Sequence, residues 1–262
     1  VGPPGRESQA LFFDLKTDLL KSALRTLGIV AVRRSNRSVK FLDHPPHCPF
    51  DDVLLRTFPS LEGLSFVQIG ANDGCRADPI RKYVSACNWR GIAVEPDPNY
   101  FQQLCKTHEH SPNIRLLNFA VDITEGERDL YYLRADAFRL PDWVEGTGSL
   151  NLARVQSIAK DFSLPPAAIA SHRVKTITWN SVWAALGAET CDVLILDTEG
   201  HDVVLLRAAD LARRRPRVVH FEHGCLTRAE RLDCYAELLD TGYELSTSAA
   251  DTTAYLPPSP DP

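Results

Sequence analysis

Ser65-Phe66-Val67-Gln68-Ile69-Gly70-Ala71-Asn72-Asp73-Gly74 is the stretch on which the reading of this chain turns. Five residues of strand character run straight into a loop held between two glycines, and Asp78-Pro79 then offers a helix start, with Asp as cap and Pro at the first position. Gly91 to Val94 reads as a second strand ending in Glu95-Pro96, and Asp97-Pro98 opens another helix by the same chemistry. Outward from there the alternation continues. Ile114–Phe119, Val174–Ile177, Val193–Leu196 and Val218–Phe221 read as strands, with Leu130–Leu133 a short additional one. Thr178–Leu186 reads as a helix stopped by Gly187, and Thr227 with Glu230 forms a capping box for a final helix. Tyr243–Leu245 and Ala254–Leu256 close the pattern. Strands alternating with helices imply an α/β fold, a parallel sheet with helices on both faces.

The 262 residues are 44% hydrophobic and 24% charged, which excludes disordered and collagenous classes. Twenty-nine basic residues against 34 acidic ones give a net charge of −5, which argues against a nucleic-acid or anionic-membrane surface. No apolar run reaches the 18 or so residues of a membrane helix. The opening Val1-Gly2-Pro3-Pro4-Gly5-Arg6 lacks the features of a secretory leader. Seven cysteines without C-x-x-C spacing read as reduced thiols, and the expected location is the cytoplasm. His44, His47 and Cys48 form a tempting metal cluster, but Pro45 and Pro46 between them favour a plain turn.

Residues 9–27 carry a helical apolar stripe ending at Gly28, so residues 1–62 are expected to form an N-terminal helical extension that packs on the main domain or on a second copy. Residues 63–262 form the main domain. Within it, residues 135–171 are a loop and helical insert holding Trp143 and Ser149. The proline-rich end after Leu256 reads as a loose tail.

Ligands of open α/β sheets bind beyond the carboxyl ends of the strands. Here those ends carry Gly70-x-Asn72-Asp73-Gly74, Glu95, Asp197 with Glu199, and Glu222 with His223. The glycine loop is neither a dinucleotide fingerprint nor a phosphate loop, and a tight turn would explain it alone. Glu95, an acid at the end of the next strand, can take both hydroxyls of a ribose and points to a nucleoside-type cofactor. Asp197-Thr198-Glu199-Gly200-His201-Asp202 crowds three acids and a histidine into one turn. Helix capping explains one of them. His201, or an acid beside it, suits a general base. Asp197, His201 and Glu222 form an alternative divalent-metal set, which the reading does not favour. Arg213–Arg217 reads as a basic helix end, and Trp179 with Trp183, four residues apart, as core.

In order and spacing, the segments 66–74, 94–98, 118–121, 195–202 and 218–222 resemble the FkbM-type methyltransferases over about residues 64–245. The resemblance implies a Rossmann-like class I methyltransferase with a mostly parallel seven-stranded sheet, using S-adenosylmethionine. Gly70, Ala71, Asn72 and Asp73 would then hold the methionine end of the cofactor and Glu95 its ribose. Pro96 and the Ala120–Asp122 turn would flank the adenine. Asp197 and Glu199 would stand near the sulfonium, and Ser149 would touch cofactor or acceptor. His201, Asp197, Glu199 and Glu222 are the candidate catalytic residues. The family more often has Glu where this chain brings His201-Asp202. The implied activity is methylation of a hydroxyl on a small molecule or sugar-bearing natural product. An NAD-dependent oxidoreductase and a non-catalytic nucleoside-binding protein are the rivals. A homodimer through the N-terminal helix is a further expectation.

Overall fold

The computed structural model describes residues 30–34, 38–42, 50–134, 137, 138, 140–144, 146–248 and 250–257. The stripe at 9–27, the His44–Cys48 cluster and the end of the tail lie outside them. Of residues 1–62 the described part is an antiparallel hairpin, β1 (Val30–Arg34) and β2 (Ser38–Leu42), and the helix α1 (Phe50–Thr57). The hairpin was not foreseen, because its residues mix charge and apolar character without clean alternation.

The main sheet has seven strands in the order β11-β12-β10-β9-β3-β4-β5. These are β3 (Ser65–Ile69), β4 (Arg90–Val94), β5 (Ile114–Leu117), β9 (Val193–Leu196), β10 (Val218–Glu222), β11 (Glu244–Thr247) and β12 (Asp251–Tyr255). β10, β9, β3, β4 and β5 run parallel, and β12 runs antiparallel between β10 and β11. The expected mostly parallel seven-stranded sheet is therefore present. Its order reverses between β3 and β9, the switch point at which the crevice of such sheets opens.

Helices cover both faces because the central strands are apolar on both sides. On one face Val53 and Leu54 of α1, and Phe58 just after it, pack with Phe66, Trp89, Val193, Ile195 and Val218. On the other, Val67, Ile69, Leu194, Leu196 and Phe221 meet α5 (Trp179–Leu186), α6 (Asp202–Ala208) and α8 (Arg228–Asp240). Trp179 and Trp183 stack at 5.5 Å within this core, as their spacing implies. Most of the local signals act as read. Asp97 accepts from the N–H groups of Asn99 and Tyr100 and caps α3 (Pro98–Thr107) as expected. By contrast, α2 (Arg81–Ala86) starts two residues later than Pro79, with Ile80 at its N-cap, and Asp78 instead holds the turn ahead of it by accepting from Ile80 and Arg81. Gly187 ends α5 at φ +70°, and the Thr227–Glu230 capping box is complete. The arginine run Arg213–Arg217 closes α7 (Leu211–Arg214), as a basic helix end, and buried Arg214 pairs with Glu189.

One strand pairs elsewhere than the alternation implied. β8 spans Ile169–Ile177, longer than the expected 174–177. With β6 (Ala120–Val121) and β7 (Gly126–Leu133) it forms a separate three-stranded sheet. The insert helix α4 (Leu152–Asp161), capped by Asn151, packs on this small sheet through Val155, Ile158 and Leu133.

Candidate active site

A cavity of about 1010 Å³ runs along the carboxyl edge of the main sheet. Its lining passes from Glu95 and Pro96 after β4 and Phe119–Val121 after β5, across Gly70 and Asp197, to His220 and Thr253 of β10 and β12.

Gly70 is fixed by sterics. Its φ is +81°, and a Cβ there would stand 1.8 Å from the carbonyl oxygen of Asp197. The loop after β3 and the loop after β9 thus touch backbone to backbone, as a cradle for a ligand requires. Asn72, also left-handed at φ +51°, donates its N–H to Glu95 Oε2 at 2.8 Å. Asp97 N–H donates to Glu95 Oε1 at the same distance, so both carboxyl oxygens are held by backbone N–H groups. Burial pushes Glu95 up to about 7, against the pull of those two N–H groups. A buried, oriented carboxyl of this kind answers to a ligand's hydroxyls. Asn118 Nδ2 holds the turn by donating to the carbonyls of Glu95 and Pro96.

Asp73 is committed elsewhere. It accepts from the N–H groups of Cys75 and Arg76, both at 2.8 Å, and pairs with Arg76 Nε at 2.9 Å. Burial would raise its carboxyl, but these bonds hold it below the ordinary range. Its side chain shapes the glycine loop and stays out of the cavity lining.

The acids after β9 divide by environment. Asp197 lines the cavity, and burial followed by repulsion from Glu199, Asp202, Glu222 and Asp251 lifts it to about 8. Asp202 is fully buried and lifted to about 7, while accepting from Thr198 and Gly200 at the start of α6. Asp202 is thus the first helical residue and ties down the turn before the helix; no side chain caps α6, so the capping expected of one acid in this run is not made. Glu199 is raised by burial and by Glu222, with Arg154 of α4 opposing at 3.0 Å. Glu222 lies behind, accepting from Cys225 Sγ at 2.8 Å, and is not part of the lining.

His201 lines the cavity on the β5 side, its Nε2 3.1 Å from Asp122 Oδ1. Asp122 is buried, and its other oxygen meets Arg128 at 2.6 Å. Asp122 therefore orients His201 from behind the lining. Ser149 is likewise structural, donating to the Glu199 carbonyl at 2.7 Å and so tying the insert to the acid loop. The alternative metal set of Asp197, His201 and Glu222, which the sequence reading did not favour, is not among the ligand clusters of the described residues. Among the described residues, the ligand atoms that gather within 4.8 Å are those of Glu199, Glu222 and Cys225.

Arg154, Gln68 and His220 escaped the sequence reading. Gln68 and His220 are polar residues inside central strands, which is a signal in itself. His223, which drew attention instead, is buried with Nδ1 2.9 Å from Thr252 Oγ1 and packs edge-on to Tyr235.

The sheet order, with β12 antiparallel between β10 and β11, is that of a Rossmann-like class I methyltransferase. The FkbM methyltransferase domain matches residues 68–245, most of the chain, and the protein belongs to that family, whose cofactor is S-adenosylmethionine. Methyltransferase FkbM from Methylobacillus flagellatus KT is a structural neighbour at 10% identity and TM-score 0.46, covering 74% of this chain and 43% of that one. The present chain thus spans less than half the length of that protein. The precorrin-6y C5,15-methyltransferase of Geobacter metallireducens GS-15 is similar at 14% identity and TM-score 0.40, covering 78% and 86%. Aeropyrum pernix fibrillarin, in complex with natively bound S-adenosyl-L-methionine, is similar at 13% identity and TM-score 0.38, covering 78% and 71%. No curated protein sequence matches the chain.

Proposed function

We propose that this protein transfers a methyl group from S-adenosylmethionine to a hydroxyl of a small molecule or sugar-bearing natural product. The cofactor supplies a methyl group activated on a sulfonium. Glu95 takes its ribose hydroxyls, Pro96, Ala120 and Val121 flank its adenine with Asp122 behind them, and Gly70, Ala71 and Asn72 give the methionine end close backbone approach. Asp73 supports that loop from behind. Asp197 faces the reacting centre at the switch point, and Glu199 lies beside it.

The observation that carries this reading is the oriented Glu95 carboxyl opposite the Gly70–Asp197 contact. An acceptor hydroxyl is a weak nucleophile until its proton is removed, and groups titrating near neutrality suit that task. No described helix is long and apolar enough to cross a membrane.

Calorimetry with S-adenosylmethionine, S-adenosylhomocysteine and NAD tests the reading. The first two should bind at micromolar Kd and NAD should not. Glu95→Gln should weaken them roughly 10- to 100-fold, as expected when a charged hydrogen-bond acceptor is lost. A preference for NAD would refute it. Mass spectrometry of an acceptor panel, looking for one added methyl on oxygen, decides the acceptor class.

A further inference from the structure

The registers of the main sheet place Gln68, Ile195, His220 and Thr253 side by side across β3, β9, β10 and β12. One pleat nearer the amino ends the same row reads Phe66, Val193, Val218 and Tyr255, an apolar floor under α1. In-register neighbours point to one face, so the α1 face turns polar at the Gln68–His220–Thr253 row. Buried parallel strands are ordinarily apolar throughout, which makes three polar side chains in one row informative. They floor the part of the cavity remote from Glu95. Phe50, the first residue of α1, roofs it with its ring 4.8 Å from the His220 imidazole. Asp197 stands where this lobe joins the cofactor crevice.

His220 is built as a directed group. Its Nδ1 lies 2.9 Å from Thr253 Oγ1, and among the described residues no hydrogen-bond partner meets its Nε2. With Nδ1–H donated to Thr253, Nε2 is the bare acceptor. Burial lowers the pKa of this imidazole, with Asp251 opposing, which keeps it neutral and ready to accept. Ionisable groups elsewhere in the cavity lining include Asp78, Asp197, Asp251, Glu199 and Arg76, the last paired with Asp73. His201 stands differently, with its Nε2 turned to Asp122 on the adenine side.

We propose that this lobe is the acceptor subsite and that His220 Nε2 is the catalytic group that receives the acceptor's hydroxyl proton. The inference rests on the methyltransferase reading above. As the acceptor oxygen bonds to the methyl carbon, its O–H proton passes to Nε2. The electron pair of the broken carbon–sulfur bond stays on sulfur, leaving a neutral thioether and a protonated imidazole that later releases its proton to water.

Imidazole nitrogen NMR on the intact protein separates the possibilities. The probes are adenosine, S-adenosylhomocysteine and sinefungin, which carries an amine where the cofactor carries its methyl-bearing sulfur. Adenosine should shift His201 and leave His220 unmoved, and sinefungin should shift His220 Nε2. Sinefungin moving His201 but not His220 would overturn the acceptor subsite. No response of either histidine to any probe, with no heat of binding, would overturn the cofactor reading itself and the inference with it. His220→Asn keeps a polar group at the Nδ1 position and removes Nε2. It should retain S-adenosylhomocysteine affinity and lower kcat by about 100-fold or more on the acceptor found by mass spectrometry. Unchanged kcat would overturn the proton-transfer role.

Discussion

Gly70 shows how a single residue joins two loops. Alanine there meets the Asp197 carbonyl at a distance no packing can accept, and the backbone is already in the left-handed region. Gly70→Ala should therefore cost about 3 kcal/mol or more, the sum of conformational strain and an overlap relieved only by moving the acid loop. Denaturant unfolding measures the loss, and S-adenosylhomocysteine affinity should fall with it; an unchanged unfolding midpoint would contradict the close approach. The sequence marks Gly70 and Glu95 as site residues because their types are unusual at strand ends. It does not reveal that Asp73 and Ser149 are spent on local hydrogen bonds, nor that Asp122 sits behind His201. Those outcomes depend on which N–H group or side chain lies within 3 Å, a matter of tertiary distance.

At the scale of elements, the insert does more than the sequence suggests. Helix α4 brings Arg154 to Glu199, and Ser149 fastens the segment to the same loop, so insert and acid cluster are mechanically one. Gly146 at φ +93° lets the chain pass close to Asn72, whose Nδ2 donates to its carbonyl at 3.3 Å. Trp143 stands at the mouth, 58% exposed, with its ring 5.8 Å from that of Phe162. An exposed aromatic face at a cavity mouth is a platform for a sugar or aromatic acceptor. Trp143→Ala should raise the KM for acceptor by about tenfold, the loss of some 1.4 kcal/mol of contact, and leave cofactor affinity unchanged. Steady-state kinetics beside calorimetry checks this, and the opposite pattern would refute it. Capping signals were legible because they are local in sequence. The pairing of β8 was not, because Ser171, His172 and Arg173 hide its strand character and pairing is non-local.

For the whole molecule, the acid crevice sets the response to pH. Burial raises Asp197 to about 8 and Glu95 and Asp202 to about 7, well above ordinary carboxylates. The fold therefore binds these protons more tightly than the unfolded chain does. Their stabilising contribution is present below about pH 4 and is lost as pH rises through 7 to 8. Without cofactor, the protein should thus be more stable to denaturant at pH 5.5 than at pH 8.5, each such group contributing up to about 1.4 kcal/mol per pH unit within its window. Asp197→Asn should reduce that slope between pH 7 and 8, leaving the shares of Glu95 and Asp202, and stabilise the protein at the alkaline end; a slope unchanged by the substitution would show that the proton assigned to Asp197 resides elsewhere. The sequence by itself determined the strand and helix alternation, the caps, the glycine loop and the family, because each is written in residues near one another along the chain. Only the tertiary structure decided which of the acids face the cavity, that β6, β7 and β8 leave the main sheet, and that Gln68, His220 and Thr253 align in one row. Strand register and burial bring together residues as much as 185 positions apart, and no local pattern encodes that adjacency.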